Sequence, residues 1–358
     1  MTNISTLGAA LDQIERIKGM QTSLATLQHQ LASGKKASLF KGLGTDVIFS
    51  KRARADFTKV GNYINNIDIA DRRMKMMEKG LSEMQEQTRN VVNALQVQTQ
   101  QGEIELESIG DLAGNVFDFL VNLVNSQDGD RFLYGGAETL TQPLEITGTM
   151  ETYQLTEFND WLNASIDNQQ MIDSFQDPTQ LTDALIGFST PLASGNAKGV
   201  YVRTDDRAEL DYTVLANNPN IRDILVAVSM IKTITTNIDE VTLDPQDDPL
   251  TTITAPGATK QEQNDNFYGV LNELTDMMVR ALDGLDTQRF NLSQKQAQIA
   301  QIQENHKNEQ ATLLSTISDV EDADINEVAV KLNALQLQLE ASFRVTANVQ
   351  GLSLVSFL

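Results

Sequence analysis

The placement of proline constrains this chain more than any other feature. All seven prolines, Pro143, Pro178, Pro191, Pro219, Pro245, Pro249 and Pro256, fall in one stretch. Proline deletes a backbone donor, and its ring clashes with the preceding helical turn. Two long proline-free arms can therefore hold uninterrupted helices, while the segment between them must break. Composition points the same way. Apolar residues make up 41%, enough for cores, but aromatic residues only 6%, with a single Trp161. Such a mixture suits long helices better than a sheet sandwich.

The arms carry helical periodicity. Leu7, Leu11, Ile14, Ile17, Leu24, Leu27 and Leu31 recur mostly at steps of three and four, a helix of roughly 40 Å at about 1.5 Å per residue. Ser33-Gly34 offers a stop. A polar, glycine-rich bridge, 42–46, follows. Phe57, Val60, Ile64, Ile67, Met74, Met77, Leu81, Met84, Val91 and Leu95 then keep a seven-residue pattern, interrupted at Asp71 and Thr88. Sustained heptads predict coiled-coil packing. A further helix is predicted from Ile104 to Val124, ended by the turn signal Asp128-Gly129-Asp130. In the C-terminal arm, Phe267, Leu271, Leu274, Met278 and Leu285 begin a stripe that Leu292, Ile299, Ile302, Leu313 and Ile317 continue. The last stripe is Ile325, Val328, Leu332, Leu335, Leu339, Phe343, Val349, Leu352 and Leu354.

The middle reads differently. Residues 199–203, Gly-Val-Tyr-Val-Arg, alternate like a strand. Asp177-Pro178 and Asn218-Pro219 each place an Asx cap before a proline suited to the first helical position, predicting two helices. Five cations, Lys198, Arg203, Arg207, Arg222 and Lys232, face roughly three times as many carboxylates there, as a solvent-facing surface would.

Chemistry is hard to find. The chain has no Cys, which excludes disulfides and thiolate sites. His29 and His306 sit inside helical arms away from ligand-spaced carboxylates, so a metal site is not expected. No phosphate loop or dinucleotide fingerprint appears, and Tyr134-Gly135-Gly136 is too short to serve as one. The acidic run 244–249 carries two prolines and lacks the glycine and distal Glu of a calcium loop. Met74, Met76, Met77 and Met84 lie on or beside the heptad seam, as packing residues do. Asn163-Ala164-Ser165 matches a glycosylation triplet, a pattern common by chance. A net charge of −22 argues against nucleic acid and anionic membranes. Neither a cleavable leader nor an apolar run of membrane-spanning length is visible. No enzyme and no cofactor are expected.

What remains is the two ends. An isolated helix gains little in water without packing. Two terminal helices paired with each other would still expose apolar surface, which neighbouring copies can cover. A contact of that kind that does not close builds a helical filament.

Three motifs carry a family resemblance. Residues 318–324, Ser-Asp-Val-Glu-Asp-Ala-Asp, followed by Glu327-Val328, resemble the start of the C-terminal helix of bacterial flagellins. Residues 24–35 are similar to that family's first helix and its Ser-Gly-basic exit. Residues 131–136, Arg-Phe-Leu-Tyr-Gly-Gly, are similar to the signature that closes its coiled-coil region. The match covers both arms. Two stretches depart from filament flagellins: 40–47, and the ending 350–358, which is closer to the hook–filament junction protein of the same family. Residues 84–96 correspond only vaguely to the patch that engages an animal innate-immune receptor, and that activity is not expected.

The resemblance implies a mainly α fold: a coiled-coil rod formed by both chain ends, with a small α+β domain inserted. The expected division is an assembly helix and bridge at 1–45, rod segments at 46–140 and 257–317, a surface domain at 141–256, and a second assembly helix at 318–358. It implies a subunit of the flagellum, filament or junction type, serving swimming motility. Expected partners are further copies, neighbouring axial proteins and an export chaperone, with neither nucleic acid nor membrane insertion. Export would proceed without a cleaved leader, to an extracellular location. The competing expectation is a surface adhesin or receptor displaying the acidic middle.

Overall fold

A computed structural model describes residues 3–101, 105–236, 256–257 and 259–355. In chain order it contains helix α1 (Asn3–Ser33), a 3₁₀ segment (Phe40–Asp46), α2 (Val47–Gln101) and α3 (Leu106–Val124). Strands β1 (Gln127–Asp128) and β2 (Arg131–Phe132) follow, then α4 (Thr149–Leu162), α5 (Asn168–Gln176), α6 (Asp183–Ile186) and α7 (Thr190–Ala193). Strands β3 (Tyr201–Arg203) and β4 (Glu209–Asp211), then α8 (Pro219–Thr236), α9 (Lys260–Glu321) and α10 (Ile325–Val355), complete it. The fold is mainly α, with two antiparallel two-stranded sheets in the middle of the chain. Each proline-free arm holds one helix of exceptional length, α2 with 55 residues and α9 with 62.

The chain forms two compact units. One contains Met1–Asn62 and Glu304–Leu358, the other Tyr63–Gln303. In the second, the heptad residues of α2 are the core. Met74, Met77, Leu81, Met84, Val91 and Leu95 are all buried, together with Leu271, Leu274, Met278 and Leu285 of α9. The two helices run antiparallel, as two ties show: Arg289 donates to the Glu78 carboxylate at 2.7 Å, and the Gln85 amide donates to the Leu282 carbonyl at 3.1 Å. Thr88, which breaks the heptad on paper, is buried because its hydroxyl donates back to the Met84 carbonyl at 2.7 Å. Helix α3 packs against α8, whose residues from Ile221 to Ile234 are apolar nearly all round. A helix of that composition must be enclosed. Arg222, in its first turn, is held by Asp183 at 3.3 Å and donates to the Leu181 carbonyl. Trp161 stacks on Phe158 with ring centroids 5.8 Å apart and is fully buried.

Residues 127–136 show why the Arg-Phe-Leu-Tyr-Gly-Gly motif takes its form. Gly129, with φ 67°, makes the tight turn between β1 and β2. Tyr134 is wholly enclosed, and its hydroxyl donates to the Met77 carbonyl at 3.1 Å. It lies so close over Gly80 that a Cβ there would stand 2.5 Å from the Tyr134 oxygen. Burial pushes this phenol far above its ordinary range, so it stays a neutral donor.

The Asn218-Pro219 start is observed: α8 begins at Pro219, and Asn218 Oδ1 accepts from the Asn220 amide at 3.1 Å. The Asp177-Pro178 start is corrected. The Asp177 carboxylate is taken by the amide and hydroxyl of Thr179, both at 2.8 Å, which closes a local turn. The helix opens six residues later instead, at Asp183, capped by Thr182. The acidic run 244–249 lies outside the described residues.

Candidate assembly surface

Helix α1 lies along α10. The pair is antiparallel, tied near one end by the Gln13 amide donating to Thr346 at 2.8 Å, and at the other by the Ala323 amide donating to the Gly34 carbonyl at 2.8 Å. Gly34 ends α1 with φ 70°, the left-handed turn that glycine adopts most cheaply.

The sixteen terminal apolar residues singled out from the sequence divide in position. Ile17, Leu24 and Leu27 of α1 are half-buried, as are Leu332 and Leu335 of α10, while Val328 and Leu339 are buried. Leu11 and Ile14 are 58% and 61% exposed, and Leu31, Ile325 and Phe343 are exposed too. The side chains of Leu7, Val349, Leu352 and Leu354 lie outside the described residues.

Sequence reading missed a second stripe on α10. Val330, Ala334, Leu337, Ala341 and Val345 are all exposed, Val330 and Leu337 at 69%. They repeat at steps of 4, 3, 4 and 4, offset by two residues from the half-buried seam. At about 100° per residue, that offset turns the second stripe to the opposite side of the helix. The signal was present in the sequence, but a search for one amphipathic face stops once it has found one. An α-helix that is apolar on two sides, with one side open, has more to bury than its partner covers. Beside the pair runs an open groove of about 690 Å³ lined by Asp12, Arg16, Met20, Gln338 and Ser342 among others.

Where these helices leave the rest of the chain, one carboxylate organises three junctions. Glu321 is the last residue of α9. Its carboxylate accepts from Arg54 Nε at 2.7 Å and Nη2 at 2.6 Å, and from the Ser50 hydroxyl at 2.5 Å. Its carbonyl accepts from the Lys36 amide at 2.7 Å. Lys35 pairs with Asp322. The Arg54 hydrogen bonds, helped by Ser50 and Lys35, hold the Glu321 carboxyl down to about 2. Asp324 then caps α10 by accepting from the amides of Asn326 at 2.9 Å and Glu327 at 3.2 Å. The motif 318–324 is thus a helix end, a charged clasp and a helix start in seven residues.

The described residues hold no group of three His, Asp or Glu placed to bind a metal, and no helix among them long and apolar enough to cross a membrane. His306 is buried, with Nδ1 3.4 Å from Glu309.

Two paired terminal helices with apolar outer faces left open, in a chain dominated by long helices, have the character of a structural subunit. Family comparison carries this further. The bacterial flagellin N-terminal helical region matches residues 4–133, and the bacterial flagellin C-terminal helical region matches residues 275–358. The chain belongs to the bacterial flagellin family, and is a structural subunit of the flagellum. Residues between the two matches fall outside both family regions. No curated protein matches the chain. Among solved structures it is similar to a putative flagellar hook-associated protein from Vibrio parahaemolyticus, with 11% identity and a TM-score of 0.44, over 77% of this chain and 97% of that one.

Proposed function

We propose that this flagellar subunit assembles through the outer faces of α1 and α10, and that the assembly serves swimming motility. The observation that supports this most is the second stripe on α10, Val330 to Val345, left open after α1 has taken the opposite side. Leu11 and Ile14 offer α1 the same opportunity. Partners are further copies and neighbouring axial proteins, delivered with an export chaperone. An adhesin displaying the middle of the chain as a separate module is disfavoured. Phe158, Trp161, Phe175 and Ile224 from that region share one core with Met84 of α2 and Leu274 of α9.

Truncation after Glu340 tests the reading. It should leave a helical, soluble protein that no longer polymerises, as read by sedimentation and electron microscopy. Polymers formed by the truncated chain would sink the proposal. Labelling on intact flagella reads how far the assembly repeats: along the whole filament for a flagellin, or in a thin collar above the hook for a junction protein.

A further inference from the structure

The chain is strongly acidic, yet one stretch of it is locally basic. Residues 35–59 carry seven Lys or Arg against two Asp, within a sequence of net charge −22; Lys35 and Arg54 are engaged by Asp322 and Glu321, which leaves Lys51 and Arg52 as the cations of the outer face. The same stretch exposes large apolar side chains. Leu39, Phe40, Ile48 and Phe49 are all exposed, Leu39 at 73% and Phe49 at 60%. Lys51 and Arg54 sit over the Phe40 ring, 5.7 and 5.9 Å from its centre. Ile48, Arg52 and Ala55 repeat at helical spacing along the outer side of α2, away from the buried Ser50 and Ala53. Arg52 is exposed and makes no ion pair among the described residues. A basic surface with apolar anchors is built to meet an acidic one.

The chain contains a matching acidic face. Helix α3 has no Lys or Arg between Leu106 and Val124. Glu107, Asp111, Gly114 and Asp118 repeat along its outer side at steps of 4, 3 and 4, and the three carboxylates are exposed without an ion-pair partner among the described residues. They border an open groove of about 540 Å³ between α3 and α8. Gly110 forms part of its floor: a Cβ there would come within 2.8 Å of Thr235. One amine, Lys232, enters the groove and lies over the Phe117 ring, so negative charge prevails.

We propose that the basic, apolar face at the start of α2 docks onto the acidic outer face of α3 in a second copy. This rests on the reading that the chain self-assembles, and names a contact for it outside the terminal helices. The two faces differ, so the contact is heterologous: each copy offers one of each, and the association runs on from copy to copy, as a ring or as an open filament according to the rotation at each contact. Complementary charge also speeds encounter and rejects wrong registers. The shared helical spacing lets the two helices lie along one another.

Charge reversal tests this in trans. One variant carries Lys51→Glu and Arg52→Glu, the other Glu107→Lys and Asp111→Lys. Each alone should raise the critical concentration for assembly at least about tenfold, with unchanged helicity by circular dichroism. Mixed one to one, they should co-assemble near the wild-type concentration, because the reversed α2 face of one fits the reversed α3 face of the other. Arg52→Glu alone, at an exposed site, should give a smaller rise in the same direction and guards against misfolding of the doubles. Wild-type behaviour from each variant would overturn the contact while leaving self-assembly standing. Loss without rescue in the mixture would remove α3 as the receiving face. Unchanged assembly with lost binding to phosphatidylglycerol vesicles would assign the basic face to lipid instead, against the proposal. Failure of the wild-type chain to assemble would fell the underlying reading first.

Discussion

The two units solve the problem of apolar surface in opposite ways. In Tyr63–Gln303 the largest side chains, Trp161, Tyr134, Phe117 and Phe158, are all under 2% exposed, and the buried Ser229 hydroxyl donates to Gln154 at 2.7 Å. In the unit that holds both chain ends, Leu11, Ile14, Phe49, Val330 and Leu337 are each more than half exposed. A monomer rarely exposes so much apolar surface unless something else covers it. The first unit buries its largest side chains within one copy, though single apolar residues such as Leu140 and Phe290 stay exposed. The second is held mainly by a charged clasp and one helical seam, and leaves apolar surface open.

The largest stability effect should therefore come from the closed unit. Trp161→Ala empties a fully enclosed site and should cost about 3–5 kcal/mol in denaturant unfolding. A cost under about 1 kcal/mol would mean that the closed core is less continuous than described. The clasp comes next. Glu321→Gln leaves Arg54 without its carboxylate, while Lys35 keeps Asp322, and both cations are nearly half exposed, so about 1–2 kcal/mol is expected.

Its pH dependence is more diagnostic than its size. The folded-state pKa of Glu321 is depressed, so the folded form binds fewer protons than the unfolded form between about 2 and the ordinary carboxyl value. The clasp's contribution is present above that ordinary value and is lost as pH falls toward about 2. Acid titration of the wild type should show this loss, and Glu321→Gln should flatten it. Equal acid sensitivity in both proteins would count against the clasp.

Gly34→Ala should cost about 1 kcal/mol. Nothing crowds the site, and the strain comes from φ 70° alone. Smallest of all should be Leu337→Asp, within about 0.5 kcal/mol of wild type for the monomer, yet it should abolish polymerisation in sedimentation assays. Destabilisation of the monomer by several kcal/mol would show that Leu337 is already packed, and the contrast between the units would fail there.

Much of this was legible in the sequence where local rules decide. The heptads of α2, the stop at Gly34, the turn at Gly129 and the start at Pro219 all depend on neighbours within a few residues. Asp177-Pro178 misleads because two local rules compete for one carboxylate, and the turn through Thr179 takes it. The Glu321 clasp joins residues 267 and 271 positions apart, and no local pattern announces such a meeting. The open stripe on α10 was legible but masked by the stronger one. Apolar spacing says that a face will be covered, not whether its own chain does the covering.

The methionines of the α2 seam carry a last consequence. Oxidation turns a thioether into a polar sulfoxide that a packed interior does not accept. Met74, Met77 and Met84 are sealed at 0–1% exposure, so oxidants reach them only when the helices part. With no cysteine to intercept the oxidant, an oxidation during such an opening leaves a mass mark that stays until it is enzymatically reduced. Sulfoxide found at these three positions would therefore report that the seam had opened, a readout that needs no label.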